Sequence, residues 1–203
     1  MKRLGTLLLT LVVALATFSA AFYVFLPKDA VLAYLWGKGT LLSAEKGVGL
    51  ESAALTLEES PLRVVLRNAR LSAAIASAEA GSVTITPLFI QSLLSISFKA
   101  EVRFESLALN LPMPGQAPLV FTTFSAMARL RPSSVTLERV SATGDLLLNG
   151  ALSVNLQTRK IEEAEMAISG ERSDLLELAK AVLPLSKEPS GDWILRRKRG
   201  ESK

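Results

Sequence analysis

The sequence contains no cysteine and no histidine in its 203 residues. Without cysteine, the chain forms no disulfide and offers no thiolate to a metal. Without histidine, it lacks the usual general base, the imidazole of a catalytic triad and the commonest transition-metal ligand. An enzyme working through carboxylates alone is the remaining catalytic alternative, but the adjacent pairs Glu58-Glu59 and Glu162-Glu163 favour solvated turns. The sequence therefore predicts no catalytic residue, no metal site and no cofactor.

Basic residues are also scarce in the body of the chain, although the formal net charge is +4. Lys2, Arg3 and the basic tail 196–203 account for the excess, because residues 27–195 carry 16 Lys and Arg against 18 Asp and Glu. Nucleic-acid binding needs a basic face on the folded domain to neutralise phosphates. We therefore expect no nucleic-acid partner.

Charged residues are absent from residues 4–26, which are mostly apolar. As a helix rising about 1.5 Å per residue, this run spans about 35 Å, and a bilayer core is about 30 Å thick. Lys2 and Arg3 precede it, and the positive-inside rule keeps such an N-terminus in the cytoplasm. The pattern predicts a single transmembrane helix that places the rest of the chain across the membrane.

The alternative for this run is a cleavable secretory signal, for which Ser19-Ala20-Ala21 would supply small residues at the cleavage site. The apolar run continues to Leu26, however, and Tyr23 lies where an aromatic ring marks the membrane interface. These features favour an uncleaved anchor. Both alternatives export the domain that follows.

A short helix is predicted from residue 28 to 37, with a weaker continuation to 44, because apolar residues recur there at helical spacing before Gly37 and Gly39. It lies either against the membrane surface, with Tyr34 and Trp36 at headgroup level, or on the apolar face of the folded domain. The chain then divides into four segments: residues 1–26, a cytoplasmic stub and transmembrane anchor; 27–46, a membrane-proximal helix and linker; 47–195, a β-rich domain; and 196–203, a basic tail.

The pattern after Gly47 is typical of strands. Pro87 opens a helical turn or two, and Asp174 caps a second short helix. Asn149-Gly150 indicates a hairpin turn, because both residues tolerate a positive φ. Residues 119–130 are ambiguous between strand and helix. Strands are predicted near residues 50–57, 62–71, 79–86, 96–105, 135–143, 152–156, 161–169 and 191–196.

Residues 96–105 form the clearest strand in the chain. Apolar residues alternate with polar ones for ten residues, the apolar set being Ile96, Phe98, Ala100, Val102 and Phe104. A strand with one apolar and one polar face is typical of an antiparallel sheet covered on one side. After Glu105 the apolar residues change from even to odd positions, which predicts a β-bulge or bend near Ser106. The predicted fold class is mainly β with a few short helices. The predicted architecture is a single transmembrane helix followed by a curved antiparallel β-sheet meander.

This arrangement resembles the type II secretion system protein N family and, more loosely, the AsmA-like periplasmic β-domain proteins. The resemblance covers nearly the whole chain and is carried by the N-terminal anchor, the short helix after it and patterns of strand, proline and glycine. The matching segments are 62–71, 83–88, 93–95, 144–154 and 191–196.

The resemblance implies a non-enzymatic accessory or assembly protein of type II secretion, which exports folded proteins across the outer membrane. It implies an inner-membrane anchor, a cytoplasmic N-terminus, a periplasmic domain and contacts with other secretion components. We expect a partner to add a strand to the sheet, with contributions from residues 96–105 and the Trp193 strand.

The alternative function is lipid handling, which the AsmA-like relatives suggest. In that case the apolar sheet face binds or transfers lipid, and acyl chains contact Phe98, Val102 and Phe104. The competing explanation is that these side chains pack as ordinary core under the short helices. The candidate partner or lipid-contact residues are Ile96, Phe98, Val102, Phe104 and Trp193, and the candidate membrane-interface residues are Tyr23, Tyr34 and Trp36.

Overall fold

The structure of the chain is a computed structural model. It describes residues 27–45, 47–73, 76–95, 97–110, 117–158, 160–172, 174–180, 183–189 and 191–197. Within those residues, no helix combines the length and hydropathy that crossing a bilayer requires. The predicted anchor, residues 1–26 with Tyr23, lies outside the described residues, so the anchor stays a prediction.

Helix α1 spans Lys28–Glu45 and runs past its predicted end at Gly37. An isolated glycine costs a helix only about 1 kcal/mol relative to alanine, so Gly37 and Gly39 do not end this one. None of its residues is buried. Tyr34 is 61% exposed and Trp36 is half-buried, and their predicted position at a membrane surface stays a prediction.

Eleven strands form one antiparallel sheet, which confirms the mainly β fold and the meander. The order is β1-β3-β4-β5-β6-β7-β8-β9-β11-β10, and β2 also pairs with β3. β1 and β2 therefore lie end to end along the same side of β3. The strands are β1 Val48–Glu51, β2 Ala54–Glu59, β3 Leu62–Ala73, β4 Ala76–Pro87, β5 Phe98–Asn110, β6 Leu119–Leu130, β7 Ser134–Gly144, β8 Leu147–Asn155, β9 Ile161–Ser169, β10 Leu185–Lys187 and β11 Trp193–Arg197.

Two short helices interrupt the meander, α2 at Phe89–Ser95 and α3 at Asp174–Ala179, close to the positions predicted from Pro87 and Asp174. β10 was not predicted, because three residues are too few to show a periodic pattern. β11 runs to Arg197, two residues into the segment predicted as the tail. The division of the chain into four segments stays a prediction.

The bend predicted near Ser106 is present. Ser106 has a φ of 54°, and Asn68 on β3 has a φ of 49°. Glu105 and Ser106 are both exposed, whereas Leu107 is buried, so the apolar phase of β5 shifts by one residue there. Strict alternation would place Leu107 on the polar face. A residue with a left-handed backbone conformation within the strand shifts the alternation by one, so the side chains that follow return to the apolar face.

The predicted hairpin turn at Asn149-Gly150 is wrong. Both residues lie inside β8, and the turn between β7 and β8 is formed by Asp145 and Leu146. The Asp145 carboxylate accepts a hydrogen bond from the Val120 backbone N–H at 2.8 Å, which fixes this turn against β6. Gly150 instead allows β8 and β9 to lie close together, because a Cβ there would lie 2.1 Å from the Glu165 carbonyl oxygen.

Candidate functional site

The predicted contact residues on β5 share one face of the sheet. Phe98 is 47% exposed, and Val102 and Phe104 are half-buried. They are directly paired with Leu130, Ala126 and Phe124 of β6, and directly paired residues of antiparallel strands share a face. Ile96 lies outside the described residues. The apolar side chains of β5 thus form one continuous apolar surface with those of the neighbouring strands. We call this surface the apolar face.

Cross-strand pairing extends Phe104 into an apolar row that crosses nine strands. On one side of Phe104 the paired residues lead to β2, and on the other side they lead to β11. No polar side chain interrupts this row. Its members are Leu55, Leu66, Val83, Phe104, Phe124, Ala142, Leu148, Ile168 and Trp193.

Parallel rows on either side are also apolar. One starts from Val102 and includes Leu57, Val64, Ile85 and Ala126. The next runs through Ala100, Ala128, Leu137, Leu152 and Ala164. Among the described residues no polar or charged residue is buried, so the core of the sheet consists of apolar side chains alone.

Aromatic contact joins β5 to β6 in the middle of the apolar face. The ring centroids of Phe104 and Phe124 are 5.5 Å apart and the ring planes meet at 81°. Edge-to-face pairs of this kind contribute about 0.5–1.5 kcal/mol beyond the burial of their area. Both rings remain half-buried, so this part of the face combines local order with accessible apolar surface.

Trp193 lies on the same row but is only 1% exposed. The ammonium groups of Lys180 and Lys187 lie 6.0 Å and 5.5 Å from its ring centroid. Leu175 and Leu176 of α3 are buried as well. The Trp193 ring is therefore part of the core in the C-terminal half of the sheet and does not itself present a surface to a partner.

The opposite face of the sheet is polar. Arg70 and Glu79 form an ion pair at 2.6 Å between β3 and β4, and the Thr123 and Thr143 hydroxyls are hydrogen-bonded at 2.8 Å between β6 and β7. Exposed pairs of this kind contribute at most about 1 kcal/mol each. Because these polar side chains favour contact with water, this face of the sheet stays solvated and the other face is the apolar one.

A cleft of about 680 Å³ lies where β1 and β2 meet on β3, beside the bend. Its charged lining residues are Glu51, Arg70 and Glu79, and Arg70 is already paired with Glu79. Within the part of the chain that the structure describes, no group of three potential metal ligands occurs. The Ser52 hydroxyl in its lining is hydrogen-bonded to the backbone carbonyl oxygens of Ala54 and Arg67.

The free edges of the sheet do not lie on β5. That strand pairs with β4 on one side and β6 on the other, so its backbone cannot receive an added strand. Among the described strands, the outer edges are β1 and β2 at one side and the three-residue β10 at the other. Sequence reasoning found the apolar face of β5 but missed β2 as an edge, because strand order is not visible in a local pattern.

The chain also matches a family model over most of its length. The model, described as "Type II secretion system protein GspN-like, Synergistales", matches residues 5–197. None of the curated proteins matches the chain significantly. The match covers the whole sheet, from β1 to β11, together with α1. This chain therefore belongs to the GspN-like family of type II secretion system proteins.

Proposed function

We propose that this protein is a non-enzymatic accessory protein of type II secretion, tethered to the inner membrane by residues 1–26, with its sheet in the periplasm. The observation that carries the proposal is the family match over residues 5–197. The uncharged run of residues 4–26 supports the tether, because it has the length and hydropathy of a membrane-spanning helix. The function is contact with another secretion component.

The edge formed by β2 is the best place for that contact. β2 is six residues long and pairs only with β3 among the described strands. Ser52 interrupts the edge between β1 and β2, where its hydroxyl is hydrogen-bonded to the carbonyl oxygens of Ala54 and Arg67 at 2.8 Å and 3.0 Å. An unpaired strand edge presents a row of backbone donors and acceptors that a partner strand satisfies.

A cysteine at Thr56, in the middle of β2, is expected to cross-link to another secretion component in cells. Thr56 is exposed, and because the chain has no other cysteine the introduced thiol is the sole site of reaction. A membrane-impermeant maleimide that carries a benzophenone group is added to cells with a permeabilised outer membrane. Irradiation then inserts the benzophenone into a C–H bond of any protein in contact with β2. The adduct should be identified by mass spectrometry as a type II secretion protein.

The matched control is Ser141→Cys. Ser141 is also exposed, but it lies on β7, whose edges are occupied by β6 and β8. It should react with a monofunctional maleimide as readily as the cysteine at position 56 and give no adduct. Equal cross-linking at both positions would argue against an edge contact, and no labelling of either would argue against a periplasmic sheet.

Lipid binding is a second candidate function, because the apolar face is incompletely covered between β2 and β6. Val64, Ile85, Val102, Phe104 and Phe124 are all half-buried. Three side chains of α2 are turned to solvent instead of covering them, since Phe89, Ile90 and Leu94 are between 59% and 81% exposed. An alkyl chain makes no hydrogen bonds and is suited to a surface without polar groups.

Native mass spectrometry of the full chain, released from detergent, should then detect a bound phospholipid. Val102→Glu places a carboxylate on the apolar face and is expected to remove that adduct, because burying an unpaired charge is unfavourable. Arg103→Glu is the control, since the neighbouring side chain belongs to the polar face. An adduct that persists in Val102→Glu, or its absence from the unmodified chain, would eliminate this candidate.

A further inference from the structure

The open edge at β2 has a sequence that is nearly symmetric about its centre. Within residues 54–58, Thr56 stands in the middle with Leu55 before it and Leu57 after it. Both leucines are half-buried and are directly paired with apolar residues of β3, so they belong to the apolar face, whereas Thr56 is exposed on the polar face. Such a strand has the same order of apolar and polar side chains when it is read in the reverse direction.

Hydrogen bonds to β3 show which residues of β2 direct their backbone to the open edge. The Arg67 carbonyl oxygen accepts the Ala53 N–H and the Ser52 hydroxyl, each at 3.0 Å, so it points toward β2. The Val65 carbonyl oxygen accepts the Thr56 hydroxyl at 3.4 Å and points the same way. Thr56, which is directly paired with Val65, therefore bonds toward β3. Because backbone direction alternates along a strand, the two leucines beside it turn their N–H and C=O groups outward.

An antiparallel copy of β2 centred on Thr56 satisfies these outward groups. It places Leu55 of each strand opposite Leu57 of the other, and these are the residues whose N–H and C=O groups are directed to the edge. The apolar face continues across the junction, since leucine meets leucine there. The two Thr56 side chains meet on the polar face, as Thr123 and Thr143 do at 2.8 Å between β6 and β7.

Charges along the edge are complementary in the same pairing. Glu58, which is paired with Arg63 of its own chain, comes to lie opposite Ala54 of the second copy. Ala54 is small and is directly paired with Arg67. The Arg67 side chain is exposed and has no ion pair within the described part of the chain. Glu58 of each copy therefore reaches Arg67 of the other across the alanine. The two Glu58 positions lie about 14 Å apart, beyond the screening length of about 8 Å.

We infer that β2 is a homodimer interface, at which a second copy of this chain adds its own β2 about a two-fold axis at Thr56. A two-fold contact is closed, because the same edge is occupied in both copies and no further copy can add there. An edge left open in every copy would instead favour aggregation. The second copy therefore protects β2 whenever no secretion component is bound to it.

The dimer does not require the proposed contact with a secretion component. In cells, the second copy and the secretion component are alternative occupants of β2. The purified chain, which contains no other component, tests the dimer, and photo-cross-linking in cells tests the secretion contact. Failure of either experiment therefore leaves the other result standing.

A cysteine at Thr56 tests the dimer directly, because the natural chain has no cysteine. The full chain carrying Thr56→Cys is purified in detergent, oxidised with copper phenanthroline and analysed on a non-reducing gel. The two residues at position 56 form a pair without backbone hydrogen bonds between them, for which the Cβ atoms lie about 4.5–5.5 Å apart, close to the separation of a disulfide. Most of the Thr56→Cys chain should run as a covalent dimer.

Ala54→Cys and Glu58→Cys are the matched controls, since both residues are exposed on the same face of the same strand. In the dimer each lies about 14 Å from its own counterpart, too far for a disulfide. Neither variant should form a covalent dimer alone. Expressed together with tags of different length, they should form a mixed dimer, because position 54 lies opposite position 58. Equal cross-linking of all three single variants, or none at position 56, would overturn the inference.

Arg67→Glu gives a second measurement that needs no cysteine. It places a carboxylate beside Glu58 of the second copy at both ends of the contact, so the dissociation constant of the dimer should rise about tenfold. Sedimentation equilibrium in a density-matched detergent measures that constant. Arg103→Glu is the control and should leave it unchanged, because Arg103 is exposed on the same face but lies on β5, between β4 and β6. A monomeric unmodified chain, or an Arg67→Glu variant that dimerises as tightly, would contradict the dimer.

Discussion

Replacing Gly150 by alanine is expected to lower the free energy of unfolding by about 3 kcal/mol or more. Gly150 lies within β8, directly paired with Met166 of β9, and has a φ of 152°. A Cβ at this position would lie 2.1 Å from the Glu165 carbonyl oxygen and 2.6 Å from the Met166 Cα. Both are backbone atoms, so the two strands would have to separate. Urea denaturation followed by far-ultraviolet circular dichroism measures the change.

Gly81→Ala is the matched control for that substitution. Gly81 also lies within a strand, β4, but its added Cβ would meet its nearest neighbours at 3.5 Å, an ordinary contact distance. The free energy of unfolding should change by less than about 1 kcal/mol. If Gly150→Ala were as stable as Gly81→Ala, the close approach of β8 to β9 would be disproved.

Replacing Trp193 by alanine is expected to cost about 3–5 kcal/mol of unfolding free energy, the usual range for truncating a buried large aromatic residue. The ring is 1% exposed and is paired with Ile168 across β9 and β11. The loss should appear as a lower denaturation midpoint in the same circular dichroism experiment, because the C-terminal strands depend on this side chain for packing.

Trp193→Phe separates packing from hydrogen bonding. The indole Nε1 is buried and has no hydrogen-bond partner within the described residues, so replacing the indole by a phenyl ring removes no hydrogen bond. The expected cost is about 1–2 kcal/mol, from reduced volume alone. A phenylalanine variant as unstable as the alanine variant would show that the indole nitrogen contributes an interaction that this account lacks.

The strands that alternate cleanly could be predicted from the sequence because one face of the sheet is apolar and the other solvated. In β5, the residues from Phe98 to Phe104 repeat with a period of two, and the structure places them on a common face. The bend at Ser106 was also visible, since the apolar phase shifts there. Local pattern carries this information because side-chain direction alternates strictly along a strand.

Strand identity was harder to predict where two periodicities coincide. In β6, Phe124 and Ala128 are spaced as on a helix, yet they also alternate as on a strand. The segment is a strand because it pairs with β5 on one side and with β7 on the other. Glycine at position 150 was misinterpreted for a related reason, because its role depends on β9, which a local motif does not show.

The candidate site was predicted only as far as one strand. The apolar row through Phe104 crosses nine strands, and its membership depends on registers that only the folded sheet defines. The burial of Trp193 depends on its pairing with β9 and β10, and the free edge at β2 depends on strand order. Sequence reasoning therefore identified the type of surface but not its extent.

The physical features of the sheet support different contacts at different places. Its polar face is solvated, its β2 edge is open to an added strand, and helix α2 carries the exposed apolar side chains of Phe89, Ile90 and Leu94. A protein that acts by contact needs such separate surfaces, because one partner must not exclude another. Membership of the GspN-like family makes type II secretion the setting in which these contacts are expected.

Cross-linking at β2 in living cells tests the central claim most directly. We predict that the cysteine at position 56 joins the chain to another type II secretion component, while the cysteine at position 141 is labelled but joins nothing. Adducts formed equally from both positions, or an adduct from position 56 that contains no secretion protein, would contradict the account.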